Sequence, residues 1–152
     1  MRGRARGFTL LELMVVIAIL AVAAVLVGPR FAGAIESVRL QAATRDVASA
    51  LRAARTEALR ERRDAAVLID VDRGLYQLSS ASESRALPEG TKVGLVAGGA
   101  DISSDSQGRI VFFPDGSSSG GRISLANNGR QFRVDVNWLT GRVRILDDQA
   151  DS

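Results

Sequence analysis

Gly7-Phe8-Thr9-Leu10-Leu11-Glu12 begins a long apolar segment, which residues 13–28 continue without a charged side chain. Residues 8–27 match the roughly 20 residues that a helix needs to cross the ~30 Å hydrocarbon core of a bilayer. Glu12 lies inside this segment. A charge within a spanning helix costs about 2.5–3.5 kcal/mol on insertion scales, so we expect the carboxylate of Glu12 to meet a compensating partner.

The charges on either side of the apolar segment predict its orientation. Arg2, Arg4 and Arg6 precede it, whereas only Arg30 follows it directly. Because basic residues near a span stay on the cytoplasmic side, we predict a cytoplasmic N-terminus and place everything after Pro29 outside the membrane. Pro29 has no backbone N–H and is predicted to kink the helix near the membrane boundary.

Two simpler interpretations of this segment stay open. One is a secretory signal peptide, because Ala32-Gly33-Ala34 offers a small-x-small cleavage site and Pro29 can break the helix ahead of it. The apolar region exceeds the usual length of about 7–15 residues, however, and it contains Glu12. The other interpretation is a plain membrane anchor.

The glycine, the aromatic residue and the glutamate at this spacing resemble the prepilin signal of type IV pilins and of type II secretion pseudopilins. In that family, a membrane peptidase cuts after the glycine and the new N-terminal residue is N-methylated. The resemblance implies cleavage between Gly7 and Phe8, methylation of Phe8, and a role for Glu12 in subunit assembly. In a filament, Glu12 would pair with the methylated amine of a neighbouring subunit. Pro29 stands where the family has a proline.

Cleavage after Gly7 would change the charge of the chain. The full sequence has 20 basic and 17 acidic side chains, and residues 1–7 hold three arginines and no acid, which leaves 17 of each sign. The basic excess that would suggest nucleic acid or anionic lipid therefore largely disappears. The absence of cysteine and histidine excludes disulfides, thiolate metal sites and the commonest acid–base group. With no paired-carboxylate spacing and no nucleophile elbow, we predict no enzyme and no cofactor.

Residues 31–63 are predicted to continue the helix. Its apolar residues recur at the spacing of one buried face: Leu40, Val47, Leu51, Ala54 and Ala58, with Ala43 or Thr44 between them. After residue 63 the period changes to two, which is typical of strands. Strands are predicted at 67–71, 75–78, 91–96, 109–113, 123–125, 132–138 and 143–145, with a hairpin turn at Asn127-Asn128-Gly129.

The C-terminal half carries further expectations. Polar loops are predicted at 79–85 and 98–108. The acidic tail with Asp147, Asp148 and Asp151 is predicted to fray. One side of the strand at 132–138 is predicted to face the core as a set: Phe132, Val134, Val136 and Trp138.

Two C-terminal stretches narrow the resemblance. Residues 112–123 (Phe-Phe-Pro-Asp-Gly-Ser-Ser-Ser-Gly-Gly-Arg-Ile) and 134–143 (Val-Asp-Val-Asn-Trp-Leu-Thr-Gly-Arg-Val) resemble the GspH minor pseudopilins of type II secretion. The resemblance implies an α+β, type IV pilin-like fold, in which a long N-terminal helix packs on a mostly antiparallel sheet. It implies a leader at 1–7, a transmembrane and filament-core helix at 8–28, an amphipathic continuation at 29–63 and a β-rich head at 64–152.

For function, the resemblance implies a non-catalytic subunit of the secretion pseudopilus, which supports the export of folded proteins. The subunit would sit in the bacterial inner membrane with its head in the periplasm. The implied partners are other minor and major pseudopilins, the prepilin peptidase and N-methyltransferase, and inner-membrane lipid. Secreted cargo and the outer-membrane channel are further candidates.

The related FimT-type minor pilins leave a second function open. They share this domain and bind DNA during uptake through a Gly-Arg-x-Arg element, which residues 141–144 resemble. Arg142 and Arg144 are two residues apart on a predicted strand and so share a face, and Arg133 is expected on the adjacent strand. Such a basic patch can contact phosphates. Nearby aspartates weaken its field, so we expect a solvated face or an edge guard rather than a DNA site.

Two loops carry weaker patterns. Asp101-x-Ser103-x-Asp105-x-Gln107-Gly108 alternates oxygen donors as calcium loops do, but Phe112 stands where the closing bidentate acid belongs. Gly116-x-x-x-Gly120-Gly121 lacks the lysine and the hydroxyl residue of a phosphate loop, and no long helix follows it. We predict a solvated loop at the first, a hairpin connection at the second, and a metal at neither.

Overall fold

The computed structural model describes residues 9–98, 100–101 and 107–148, with the backbone alone at 25–32, 34, 100–101 and 148. The chain divides between Ile35 and Glu36 into two compact units. In the described part of the chain, no helix combines the length and the apolar character that a membrane span requires. The predicted processing site at Gly7 and Phe8 lies outside the described residues.

Helix α1 comprises Leu10–Glu61 and belongs in part to each unit. Thr9 caps its start, because its Oγ1 accepts a hydrogen bond from the N–H of Glu12 at 3.2 Å. The backbone of Gly28 and Pro29 is helical and forms part of α1. The kink at Pro29 and the boundary between the transmembrane segment at 8–28 and its amphipathic continuation at 29–63 stay predictions.

In the second unit, one face of α1 is buried, as the apolar spacing predicts. Seven of its described side chains are at most 1% exposed: Leu40, Thr44, Val47, Ala48, Leu51, Ala54 and Ala58. The hydroxyl of Thr44 donates a hydrogen bond to the carbonyl oxygen of Leu40 at 2.8 Å, so its polar group is satisfied within the core. The predicted stripe is therefore confirmed.

Strands follow α1 and form two sheets. Within the described residues they are β1 Ala65–Asp70, β2 Leu75–Leu78, β3 Arg85–Ala86, β4 Lys92–Ala97, β5 Ala100–Asp101, β6 Gln107–Phe112, β7 Gly121–Asn127, β8 Arg130–Val136 and β9 Val143–Asp148. One sheet has the order β3-β2-β1-β6 and the other β5-β4-β7-β8-β9. Neighbouring strands in both sheets are antiparallel, which confirms the predicted α+β class.

The hairpin between β7 and β8 turns at the predicted residues. Asn128 and Gly129 have φ angles of 47° and 77°, and Asn127 pairs with Arg130 across the turn. Two successive left-handed residues are the signature of the tight hairpin turn that Asn-Gly favours. The side-chain amide of Asn128 also donates a hydrogen bond to the carboxylate of Glu36 on α1.

Both sheets contribute side chains to one hydrophobic core with α1. The four-stranded sheet supplies Val67, Ile69, Ile110 and Phe112, and the five-stranded sheet supplies Leu95, Ile123, Leu125, Phe132 and Val134. All are at most 3% exposed. The alternation along each strand thus places one face of each sheet in the core and leaves the other face to carry surface groups.

Several predicted details are wrong. Trp138 does not face the core: β8 ends before it, Asn137 opens a turn, and the indole is 65% exposed. Asp147 and Asp148 do not fray, because both pair with β8. Asp151 lies outside the described residues. Strands β3 and β5 fall in segments predicted as loops, and β7 is longer than predicted, since backbone pairing with a neighbouring strand extends a sheet beyond its apolar residues.

Candidate functional site

The first candidate site is the start of α1. Glu12 is exposed there, and among the described residues no basic group lies within 4.0 Å of its carboxylate. Thr9-Leu-Leu-Glu12 matches the capping-box pattern, and a carboxylate in the first turn also meets the positive end of the helix dipole. The Thr-x-x-Glu pattern in the sequence is the signal for this capping role of Thr9 and Glu12. The pairing of Glu12 with a neighbouring subunit stays a prediction.

The second candidate site is the turn between β8 and β9. The Oδ1 of Asn137 accepts the N–H of Leu139 at 3.1 Å, and its carbonyl oxygen accepts the N–H of Gly141 at 2.8 Å. The N–H of Asn137 in turn donates to the carbonyl oxygen of Arg142 at 3.0 Å. These hydrogen bonds fix the backbone of the turn. Trp138 is therefore presented to solvent on a defined backbone.

Two glycines let this turn pack closely against its neighbours. At Gly141, where φ is +60°, a Cβ would lie 2.3 Å from the carbonyl oxygen of Gly116 and 2.7 Å from Nε of Arg55. The Nε of Arg55 donates to that same carbonyl oxygen at 3.3 Å. At Gly120, a Cβ would lie 2.9 Å from the Cβ of Trp138. The glycine of the Gly-Arg-x-Arg element thus has a packing role in this head.

An open groove of about 680 Å³ lies beside the turn. Its lining includes Val96, Arg122, Asp135, Trp138, Arg142 and Arg144, and we name it the arginine groove. The structure brings Arg142 and Arg144 together in this groove, as predicted. Arg133 lies on the adjacent strand β8, as predicted, but it pairs in register with Leu146 and is not part of the groove lining.

The charges in the groove are unequally compensated. Asp135 is the cross-strand neighbour of both Arg122 and Arg144. Its two carboxylate oxygens accept hydrogen bonds from Nε and Nη2 of Arg122 at 2.7 Å and 3.2 Å. Within the described residues, no carboxylate lies within 4.0 Å of Arg142 or Arg144. The sequence alone does not indicate the Arg122–Asp135 pair, because only the strand register places the two residues side by side.

A second turn supports the site from the side of β6. The Oδ1 of Asp115 accepts hydrogen bonds from the hydroxyl of Ser117 at 2.6 Å and from its N–H at 2.9 Å. These bonds hold the pKa of Asp115 below its ordinary value of 3.8. The same turn contains Gly116, so the carboxylate of Asp115 helps to place the carbonyl group against which Gly141 packs.

Comparison with known proteins identifies the family. The profile of the family described as type II transport protein GspH matches residues 43–141, and that of the prokaryotic N-terminal methylation motif matches residues 2–28. The chain belongs to the GspH family. It is 37% identical to type II secretion system protein H of Xanthomonas campestris over 143 residues, which are 94% of this chain and 84% of that protein.

Solved structures show the same fold in two kinds of protein. The minor pseudopilin EpsH of the Vibrio cholerae type 2 secretion system is 16% identical, has a TM-score of 0.57, and the match covers 72% of this chain and 97% of EpsH. The type IV minor pilin FimU of Pseudomonas aeruginosa is 14% identical, has a TM-score of 0.57, and the match covers 73% and 90%. The type IV pilin-like fold of this GspH-family chain is thereby confirmed.

Proposed function

We propose that this chain is a minor pseudopilin, a structural subunit of the type II secretion pseudopilus that supports export of folded proteins. One observation carries the proposal: the methylation motif at 2–28 and the GspH domain at 43–141 occur in one chain. The name of the Xanthomonas relative, type II secretion system protein H, supports the same function. The role is mechanical, and the chain supplies no catalytic group.

The proposed life cycle begins with a precursor in the inner membrane, with its N-terminus in the cytoplasm and its head in the periplasm. Prepilin peptidase removes residues 1–7 by cutting after Gly7, and Phe8 is N-methylated. The processed helix then leaves the lipid and stacks against other minor and major pseudopilins. The carboxylate of Glu12 sets the register of stacking, because it pairs with the amine of a neighbouring subunit.

N-terminal mass analysis of the membrane-extracted protein tests the processing. A chain that begins with N-methylated Phe8 is expected. A chain that begins at Ile35 would show instead that a signal peptidase cuts after Ala34, and it would refute the proposed class. A chain that retains Met1 would refute processing.

The variant Glu12→Gln tests the assembly role. Glutamine retains the shape and the capping capacity of the side chain but loses its charge. We therefore expect normal cleavage at residue 8 and loss of both pseudopilus incorporation and exoprotein export. Leu11→Gln, which places the same amide one position earlier, is the matched control and should retain export. Normal export by Glu12→Gln would refute the register role.

A second candidate function is DNA capture by a FimT-like minor pilin. The similarity to FimU favours it, as do the two arginines of the groove that pair with no described carboxylate. Deleting the gene and measuring both activities separates the two functions. Loss of export with normal transformation supports secretion, whereas normal export with loss of transformation establishes DNA uptake and refutes the secretion role.

A further inference from the structure

The arginine groove contains exposed side chains that have no role in the proposed stacking of N-terminal helices between subunits. Trp138 and its neighbour Leu139 are 65% and 63% exposed. Arg142 and Arg144 line the same groove as the indole of Trp138. Tryptophan and arginine are two of the side chains in which the binding energy of protein–protein interfaces concentrates. Exposed together on one side of the head, they form a compact candidate for a docking surface.

The backbone beneath Trp138 is held in place before any partner arrives. The N–H of Ser118 donates to the carbonyl oxygen of Trp138 at 2.8 Å. Gly120 brings the preceding loop so close that any side chain there would meet the Cβ of Trp138. On the other side, Asn137 closes the turn. Because the backbone of this turn is already ordered, binding there costs less conformational entropy than binding by a mobile loop.

The charge of the groove selects the partner. Asp135 is already engaged by Arg122, so Arg142 and Arg144 supply two positive charges next to the indole that no described carboxylate pairs with within 4.0 Å. We propose that the arginine groove docks the folded head of another pseudopilus subunit, which offers an apolar recess to Trp138 and carboxylates to the two arginines. This inference rests on the proposed function for the class of the partner, and it assigns the surface that the partner meets.

A nucleic acid fits the groove less well. Two phosphate contacts give a slope of log affinity against log salt of only about −1.8, so counterion release contributes little at physiological ionic strength. Leu139, the exposed sequence neighbour of Trp138, adds apolar surface that suits a protein partner better than a phosphate backbone.

The test uses the full-length chain in the membrane of cells that carry the secretion system. A photo-crosslinking amino acid replaces Leu139, and the cross-linked subunit is identified by mass spectrometry. The groove variant combines Trp138→Ala with Arg144→Ala. The matched control combines Leu68→Ala with Arg109→Ala, because these two exposed residues are cross-strand neighbours on the other sheet.

The expected result is a cross-link from position 139 to another pseudopilin, which the groove variant reduces about tenfold or more and the control variant leaves unchanged. Export falls with the cross-link, while cleavage at Phe8 stays normal. An unchanged cross-link and unchanged export in the groove variant overturn the docking surface. This holds even if deletion of the gene abolishes export, a result that supports the proposed function but not the surface. Normal export in the deletion strain refutes the proposed function separately.

DNA binding is measured on the same full-length protein in detergent, with a fluorescent oligonucleotide at physiological ionic strength. We expect no binding that depends on the groove. Binding that Arg142→Ala and Arg144→Ala abolish, together with no cross-link to a pseudopilin, would overturn the protein-docking assignment in favour of a nucleic-acid site.

Discussion

Gly141 offers the sharpest test of how the turn at the arginine groove is built. A Cβ at this position would lie 2.3 Å from the carbonyl oxygen of Gly116, far inside van der Waals contact. The substitution Gly141→Ala therefore has to displace that backbone group and weaken the hydrogen bond that Arg55 donates to it. Overpacking costs about 1–3 kcal/mol, and loss of a charged hydrogen bond about 1.5–3 kcal/mol. The left-handed φ of +60° adds roughly 1–2 kcal/mol for any residue with a Cβ.

Gly129→Ala isolates the backbone contribution. Its φ of +77° is equally left-handed, but a Cβ there meets nothing within 4 Å. Urea unfolding of the full-length protein in detergent, followed by the fluorescence of Trp138, the single tryptophan, measures both variants. We expect Gly141→Ala to lower the free energy of unfolding by about 2.5–6 kcal/mol more than Gly129→Ala, the sum of the overpacking cost and the hydrogen-bond cost. Equal losses would refute the argument that close packing, rather than phosphate contact, requires the glycine of the Gly-Arg-x-Arg element.

Two further predictions concern the core and the supporting turn. Leu51→Ala removes a fully buried side chain and should lower the free energy of unfolding by about 2–5 kcal/mol. The control Arg52→Ala changes an exposed neighbour and should alter the free energy of unfolding by about 0.5 kcal/mol or less. Urea unfolding compares the two variants, and similar values would contradict the assigned core face. Asp115 has a lowered pKa in the folded chain, so its stabilisation is present above 3.8 and is lost as the pH falls through the folded value. Asp115→Asn should therefore destabilise the head at neutral pH and make its stability less dependent on pH in the acid range. Thermal melts at several acid pH values measure this dependence. A dependence equal to that of the unsubstituted protein would contradict the role of the Ser117 hydrogen bonds.

Local patterns predicted the parts of the fold that local chemistry decides. The spacing from Leu40 to Ala58 identified the buried face of α1, because a helix repeats every 3.6 residues whatever packs on it. Asn128-Gly129 identified a hairpin, because these residues tolerate the left-handed angles that the tight turn needs. The N-terminal motif likewise predicted the methylation signal, because its spacing is a property of the chain alone.

Parts of the site that depend on pairing between distant segments could not be predicted in this way. The alternation through residues 132–138 suggested that Trp138 belongs to the core, yet Asn137 diverts the chain one residue earlier by accepting N–H groups from the turn. The pair between Arg122 and Asp135 joins two strands and exists only because their register places them side by side. Without that register, Arg122, which Asp135 compensates, could not be distinguished from Arg142 and Arg144, which no described carboxylate pairs with.

If residues 8–28 cross the membrane as proposed, the magnitudes at the start of α1 explain why Glu12 needs a partner outside its own helix. A carboxylate within a membrane span costs about 2.5–3.5 kcal/mol. Its position in the first turn returns roughly 0.3–1 kcal/mol through the helix dipole. The hydrogen bond between the hydroxyl of Thr9 and the N–H of Glu12 contributes about 1 kcal/mol to the helix, but it engages the backbone and leaves the carboxylate charged. Local structure therefore offsets only a minor part of the cost, and an opposite charge has to supply the rest. The amine that the proposed processing would create at Phe8 of a neighbouring subunit is such a charge, so under the proposed function cleavage and assembly are steps of one electrostatic exchange.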